Sequence, residues 1–245
     1  EVVKNIKNYE PNEIILLPLY PQFSTTTTAS SLNEFAKNLS KEFIDKIKLK
    51  TICCYPLDEG FIDSHVKLIE DKLSDKVDLS NYRMLFSAHG LPEKIVKSGD
   101  PYQWQIEQTV LKIISKLQLI PKFKNIDYKV TYQSRVGPLK WLEPNTEDEV
   151  KIAGKENKSL IIIPVAFVSE HVETLVELDI EYKQIAVDHK IDYVRVPTLS
   201  ANELFIKSLA NMILNFSSND PGCLSSSNFN RICPDIYSKC PCKAS

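Results

Sequence analysis

Glycine is scarce in this chain, with six in 245 residues, and neither G-x-G-x-x-G nor a Walker A loop can be written from them. The two common nucleotide-binding loops are therefore excluded, although they are the most frequent ligand sites of doubly wound folds. An excess of one charge is also missing. Thirty Lys and Arg stand against 32 Asp and Glu, a net charge of −2, which leaves no electrostatic footprint for nucleic acid. No apolar run approaches the roughly 18 residues that would mark a membrane-spanning helix. The opening EVVKNIKNYEPNEI has neither an initiator Met nor an apolar signal core, so it reads as internal to a longer protein, with any targeting signal out of view. What the chain does have is 43% apolar and 25% charged residues, enough for a substantial core in one large domain or two small ones.

Strand-like runs alternate with helical patterns, which points to an α/β fold of parallel βαβ units. Strands are expected over 13–19, 50–55, 82–88, 128–133, 160–167 and 192–196, and helices over 31–47, 61–73, 101–117, 146–153, 170–189 and 201–216. The helix at 101 has a defined start, with Asp100 as N-cap and Pro101 in the first helical position. The pattern suits two small doubly wound sheets, the first incomplete: a partial lobe over 1–78, a second over 79–216, and a polar cysteine-bearing tail over 217–245.

Two strand ends carry chemistry. The run SLIIIPVAFV is apolar throughout, as for a strand buried on both faces, and leads through Ser169, the expected N-cap, into a helix bearing Glu170, His171, Glu173, Glu177 and Glu181. Glu173, Glu177 and Glu181 recur at i, i+4, i+8 and share one stripe. Like charges at that spacing repel by roughly 0.2–0.5 kcal/mol per pair, so the ladder is either a solvated face or a site for a visiting cation. The second strand, YRMLFSA, runs into His89-Gly90-Leu91-Pro92, where glycine and proline turn the chain and leave the imidazole aimed into the crevice above the sheet. A satisfied structural histidine is the alternative for His89 alone. Together, imidazole and carboxylates suit a borderline divalent ion such as ferrous iron, and equally suit proton abstraction near neutral pH.

Four blocks in order, LLPLYPQFSTTTTASSL, LFSAHGLPEKIVKSGDPYQWQ, TYQSRVGPLKWLEPNTEDEV and IIIPVAFVSEHVETLVELDIEY, resemble the signature blocks of bacterial ferrochelatases, which insert ferrous iron into a porphyrin. The resemblance runs from about Ile14 to Phe216. It implies two Rossmann-like lobes with a porphyrin cleft between them, and ferrous iron and a porphyrin, protoporphyrin IX foremost, as substrates. It implies His89 as proton acceptor and transient metal ligand with Glu173 as its partner. His171, Glu177 and Glu181 would form a path for protons or hydrated metal, on a helix locally widened by a π-type turn. Tyr20 and Ser24 to Thr28 resemble the cleft wall, and Trp141 and Phe167 match aromatics near the macrocycle, with plain core packing as the alternative. Arg135 and Lys140 could pair with propionates, or Arg135 with Glu143. The family's chains begin well before residue 1, and that earlier part supplies the first strand of the first lobe and a lip that touches membrane. The implied setting is the cytoplasm, peripheral to the inner membrane, with dimerisation left open.

Six cysteines would suit disulfides in a secreted protein, but the fold and the resemblance point to a reducing compartment. Some ferrochelatases hold a [2Fe–2S] cluster with three cysteines of a carboxyl-terminal tail and a fourth from the amino-terminal lobe. Cys233, Cys240 and Cys242 resemble a bacterial version of that tail. The animal version draws its fourth ligand from the position of Thr25, so Cys53 or Cys54 is the candidate fourth thiolate, with zinc or free thiols as the alternative. Rival readings are a cobalt chelatase of corrinoid synthesis, a non-catalytic haem- or porphyrin-binding protein, and a redox sensor built on the tail.

Overall fold

A computed structural model describes residues 1–219, 224–227 and 229–242. The first part of the chain forms α1 (Val2–Tyr9), β1 (Glu13–Leu16), α2 (Thr28–Lys37), α3 (Lys41–Ile44), β2 (Lys48–Ile52) and α4 (Glu59–Lys72). Then come β3 (Tyr82–His89), α5 (Glu93–Lys97), α6 (Tyr102–Leu117), β4 (Asp127–Gln133), α7 (Thr146–Lys155) and β5 (Ser159–Pro164). A π-helix (Glu173–Tyr182) follows, with α8 (Lys183–Asp188), β6 (Tyr193–Arg195), α9 (Glu203–Asn219) and β7 (Leu224–Ser225).

The strands make two parallel sheets, β1-β2-β7 and β4-β3-β5-β6. In the second sheet β3 and β5 are central and buried on both sides, which is why β5 reads as an apolar run and β3 is apolar at Met84, Leu85, Phe86 and Ala88. Met84, Phe86, Ile161 and Ile163 face a large core shared with α4, α6 and α9, whereas Leu85, Leu160 and Ile162 face a smaller one with Val150, Leu178 and Ala186. From β3 the chain steps outward to β4, then crosses back to place β5 on the other side of β3. The strand order therefore reverses between β3 and β5, and a crevice opens beyond their carboxyl ends.

Side-chain caps set the helix starts. Asp58 accepts from Phe61 N–H at 2.9 Å, and Asn145 from Asp148 N–H at 3.2 Å. Asp100 accepts from Tyr102 N–H at 2.9 Å, although α6 begins one residue after Pro101. Gly60 is required where α4 meets α9, because a Cβ there would stand 2.6 Å from Ser208 Cβ.

Several expected boundaries move. The helix expected over 31–47 is two helices, since Asn38 turns its amide back onto Glu34 O at 2.8 Å and Ser40 is extended. β1 stops at Leu16, ahead of Pro18, which has no N–H to continue a ladder. β5 ends at Pro164, and the helix expected from 170 begins at Glu173, so Val172 and not Ser169 stands at the N-cap position. The lead-in is held instead by Thr174, whose hydroxyl accepts from His171 N–H and donates to His171 O, both at 3.0 Å. The tail is not pattern-free. β7 pairs with β2 (Thr51 with Leu224, Ile52 with Ser225) and joins those two tail residues to the first sheet. Cys223 lies outside the described residues. Among the described residues, no helix is long and apolar enough to cross a membrane.

Candidate active site

His89 ends β3 and Glu173 opens the π-helix beyond β5, so the two strands flanking the reversal each deliver one group. Their side chains meet, with His89 Nδ1 2.8 Å from Glu173 Oε2. The histidine backbone is held from two sides. Tyr102 donates its hydroxyl to His89 O at 3.0 Å, and Gly90 N–H donates to Gln133 O at 2.9 Å. Gly90 must be glycine for this approach, since a Cβ would meet Gln133 O at 2.9 Å and the Trp141 ring at 3.3 Å.

The pair stands between two cavities and lines both. One, of about 620 Å³, is walled by Leu19, Tyr20, Ser24, Leu91, Phe167 and His171. The other, of about 560 Å³, is acidic, with Glu147, Glu177 and Glu181 beside Arg135, Trp141 and Tyr182. Cavities of several hundred Å³ with few polar groups are the usual shape of a small-molecule site. A carboxylate row thus lies on the far side of a shared histidine–glutamate wall.

Within the acidic cavity Glu177 is held by neutral donors: Ser134 Oγ at 2.7 Å, Tyr182 OH at 3.1 Å and Gln133 Nε2 at 3.2 Å. Glu147, at the start of α7, joins the row and pairs with Lys151. It went unread in the sequence because an acidic first turn is ordinary helix chemistry. Gln133 and Ser134 were also unread; the one available signal was their position at a strand end.

The other expected residues separate. Tyr20, Ser24, Phe167 and His171 lie on the larger cavity, and Trp141 on the acidic one, where its indole donates to Val136 O at 3.0 Å. His171 is thus apart from Glu177 and Glu181; its Nδ1 accepts from Glu173 N–H at 3.2 Å, and its ring sits 4.9 Å from Phe167. The Ser24 and Thr25 hydroxyls donate to buried Asp100, at 3.0 and 2.6 Å. Arg135 pairs with Asp148 at 3.8 Å rather than with Glu143, and Lys140 with Glu93 at 2.9 Å. Glu170, expected to face the crevice, is turned away into a bidentate pair with Arg195, 2.8 Å on each side, and accepts from Thr198 N–H. Burial opposes its ionisation, but Arg195 and the Thr198 amide outweigh that and hold the carboxyl at about 2.

Cys53, Cys54, Cys233, Cys240 and Cys242 share one buried cluster with Phe23. Cys53 Sγ is 3.3 Å from Cys242 Sγ and 3.5 Å from Cys54 Sγ. Gln105 reaches in to donate to Cys233 Sγ at 3.2 Å and Cys54 Sγ at 3.6 Å. Thiol donors at Cys233 and Cys242, with Arg231 nearby, push Cys240 down towards the thiolate, whereas contact with Cys242 and Cys54, and burial, push Cys53 up. Among the described residues, no three of the His, Cys, Asp and Glu side chains stand ready around a single metal position.

The ferrochelatase family model matches residues 1–216. A ferrochelatase of Rickettsia bellii (strain OSU 85-389) is 58% identical over 244 residues, covering 99% of this chain and 66% of its own length. That of Pelagibacter ubique (strain HTCC1062) is 47% identical over 249 residues, covering 99% and 68%. The chain therefore spans about two thirds of the curated relatives it matches. Among solved structures, SirB from Bacillus subtilis with Fe3+ superposes with a TM-score of 0.61 at 14% identity, over 89% of this chain and 77% of that one, a likeness of fold. By the extent of the family match and its similarity to these relatives, this chain belongs to the ferrochelatase family.

Proposed function

We propose that the full-length protein inserts ferrous iron into a porphyrin, protoporphyrin IX foremost, in the last stage of haem synthesis. The observation that carries the proposal is the 2.8 Å contact of His89 with Glu173 in a wall common to a porphyrin-sized cavity and an acidic one. Insertion exchanges two pyrrole N–H protons for one Fe2+, so the site must take protons from the ring and deliver an ion to it. With Nδ1–H directed at Glu173, a neutral His89 has its other nitrogen free to accept a pyrrole proton. The imidazolium so formed is stabilised by the adjoining carboxylate. Glu177 and Glu181 continue the row outward, for the proton to leave and for hydrated iron to enter. Leu19 and Tyr20, exposed at the rim of the larger cavity, suit contact with a membrane surface, as expected of an enzyme acting in the cytoplasm against the inner membrane.

The cysteine cluster suits a [2Fe–2S] group. Cys233, Cys240 and Cys242 with Cys53 or Cys54 supply four thiolates, Gln105 supplies N–H donors to sulfur, and Arg231 supplies positive charge. When bound, such a group supplies one-electron redox chemistry, away from the His89–Glu173 pair. The functional test is a steady-state insertion assay on the full-length protein with protoporphyrin and with coproporphyrin. Turnover of either with ferrous iron supports the proposal, and failure with both rejects it.

A further inference from the structure

We propose that Gln133 and Ser134 are a positioning pair that holds the carboxylate row of the π-helix in register with His89. This deepens the reading above and rests on it. Gln133, fully buried, is the last residue of β4. Its Nε2 lies 2.8 Å from Glu173 O and 3.2 Å from Glu177 Oε2, both of which can only accept, so the amide nitrogen faces the π-helix and uses both protons there. Its Oε1 takes the Ser87 hydroxyl at 2.7 Å. Ser87 in turn touches Thr146 Oγ1, and Thr146 donates to Thr131 Oγ1, both at 2.9 Å. The buried Ser87 hydroxyl thus locks the amide, which cannot rotate without leaving buried groups unpaired.

Ser134 completes the grip. Its φ is +62°, a left-handed conformation uncommon outside glycine, and in that conformation its hydroxyl reaches Glu177 Oε1 at 2.7 Å. Backbone strain of this kind persists where the surroundings over-determine it. One dipeptide therefore holds the backbone under Glu173 and the side chain of Glu177, four residues on. A plain packing role would need neither the strained serine nor two amide protons spent on one helix. The helix itself needs such support, because i→i+5 turns are rare and usually single. Neutral donors fix the spacing of two carboxylates without cancelling the charge that draws a cation.

The test uses the full-length protein and measures kcat, the KM for ferrous iron, the KM for porphyrin and the melting temperature. Ser134→Gly removes the hydroxyl while giving the left-handed position to the residue that adopts it freely. The melting temperature should hold or rise, while kcat/KM for iron falls about tenfold, the scale of one hydrogen bond to a charged group, and the KM for porphyrin stays within about twofold. Gln133→Glu, which keeps the shape but faces Glu177 with like charge, should raise the KM for iron more than Gln133→Leu does. In a Glu177→Gln background, Ser134→Gly should add little. An unchanged kcat/KM for iron in Ser134→Gly, or a loss shared equally by stability and porphyrin affinity, overturns the inference. A wild-type protein that fails to insert iron overturns the functional reading instead.

Discussion

Asp100 and Ser24, 76 positions apart, are joined by a buried hydrogen bond of 3.0 Å that fastens a wall of the larger cavity to the start of α6. The same carboxylate accepts from Thr25 N–H at 2.7 Å, the Thr25 hydroxyl at 2.6 Å and Tyr102 N–H at 2.9 Å. Asp100→Ala leaves four donors short of a partner at a fully buried position. It should cost about 3 kcal/mol in urea unfolding and weaken porphyrin binding, read by fluorescence, with Asp100→Asn intermediate.

Arg195 bridges the π-helix and its lead-in, pairing with Asp179 at 2.8 and 2.9 Å and with Glu170 at 2.8 Å on both oxygens. Lysine keeps the charge but loses the fork, so Arg195→Lys should destabilise by about 1–2 kcal/mol. Glu170 is held at about 2, below its ordinary 4.5, so its contribution is complete above pH 4.5 and fades as pH falls towards 2. Acid unfolding of Arg195→Lys should show a shallower loss over that window.

His65 is a second source of acid sensitivity. It is fully buried against Phe61, with neither ring nitrogen hydrogen-bonded among the described residues, and burial lowers its pKa from 6.5 to about 3. The unfolded chain takes up this proton below pH 6.5 and the folded one does not, so stability should fall by up to about 1.4 kcal/mol per pH unit between 6.5 and 3. His65→Leu should unfold at a similar urea concentration at pH 8 and flatten the slope between pH 6 and pH 4.

Protein purified without oxygen should absorb beyond 400 nm and contain iron and sulfide, and Cys240→Ser should abolish both. Colourless protein free of iron and sulfide would remove the cluster from the account.

The elements legible in the sequence were those whose signal is local. β5 declared itself by an unbroken apolar run, β3 by YRMLFSA running into the His89-Gly90-Leu91-Pro92 turn, and α6 by Asp100 and Pro101. β7 could not be read, because two residues, Leu224 and Ser225, gain strand character only by pairing with Thr51 and Ile52, far away in the chain. His89 and Glu173 stood out as chemistry at strand ends. Their separation of 84 positions closes only because the chain crosses back over β3 to make β5, which no local pattern records. Ser24 lines the larger cavity, but its hydroxyl donates to a buried acceptor, Asp100, which no local pattern records. Gln133 was silent, since a single amide at a strand end gives no hint of what it will grip.

Single-turnover insertion of ferrous iron into porphyrin by the full-length wild type, His89→Ala, Glu173→Gln and the double variant tests the central claim most directly. Each single change should slow insertion at least about a hundredfold with porphyrin binding retained, and the double variant should lose little more, because the two groups act as one unit. Normal turnover in either single variant, or losses that multiply in full, would contradict the account.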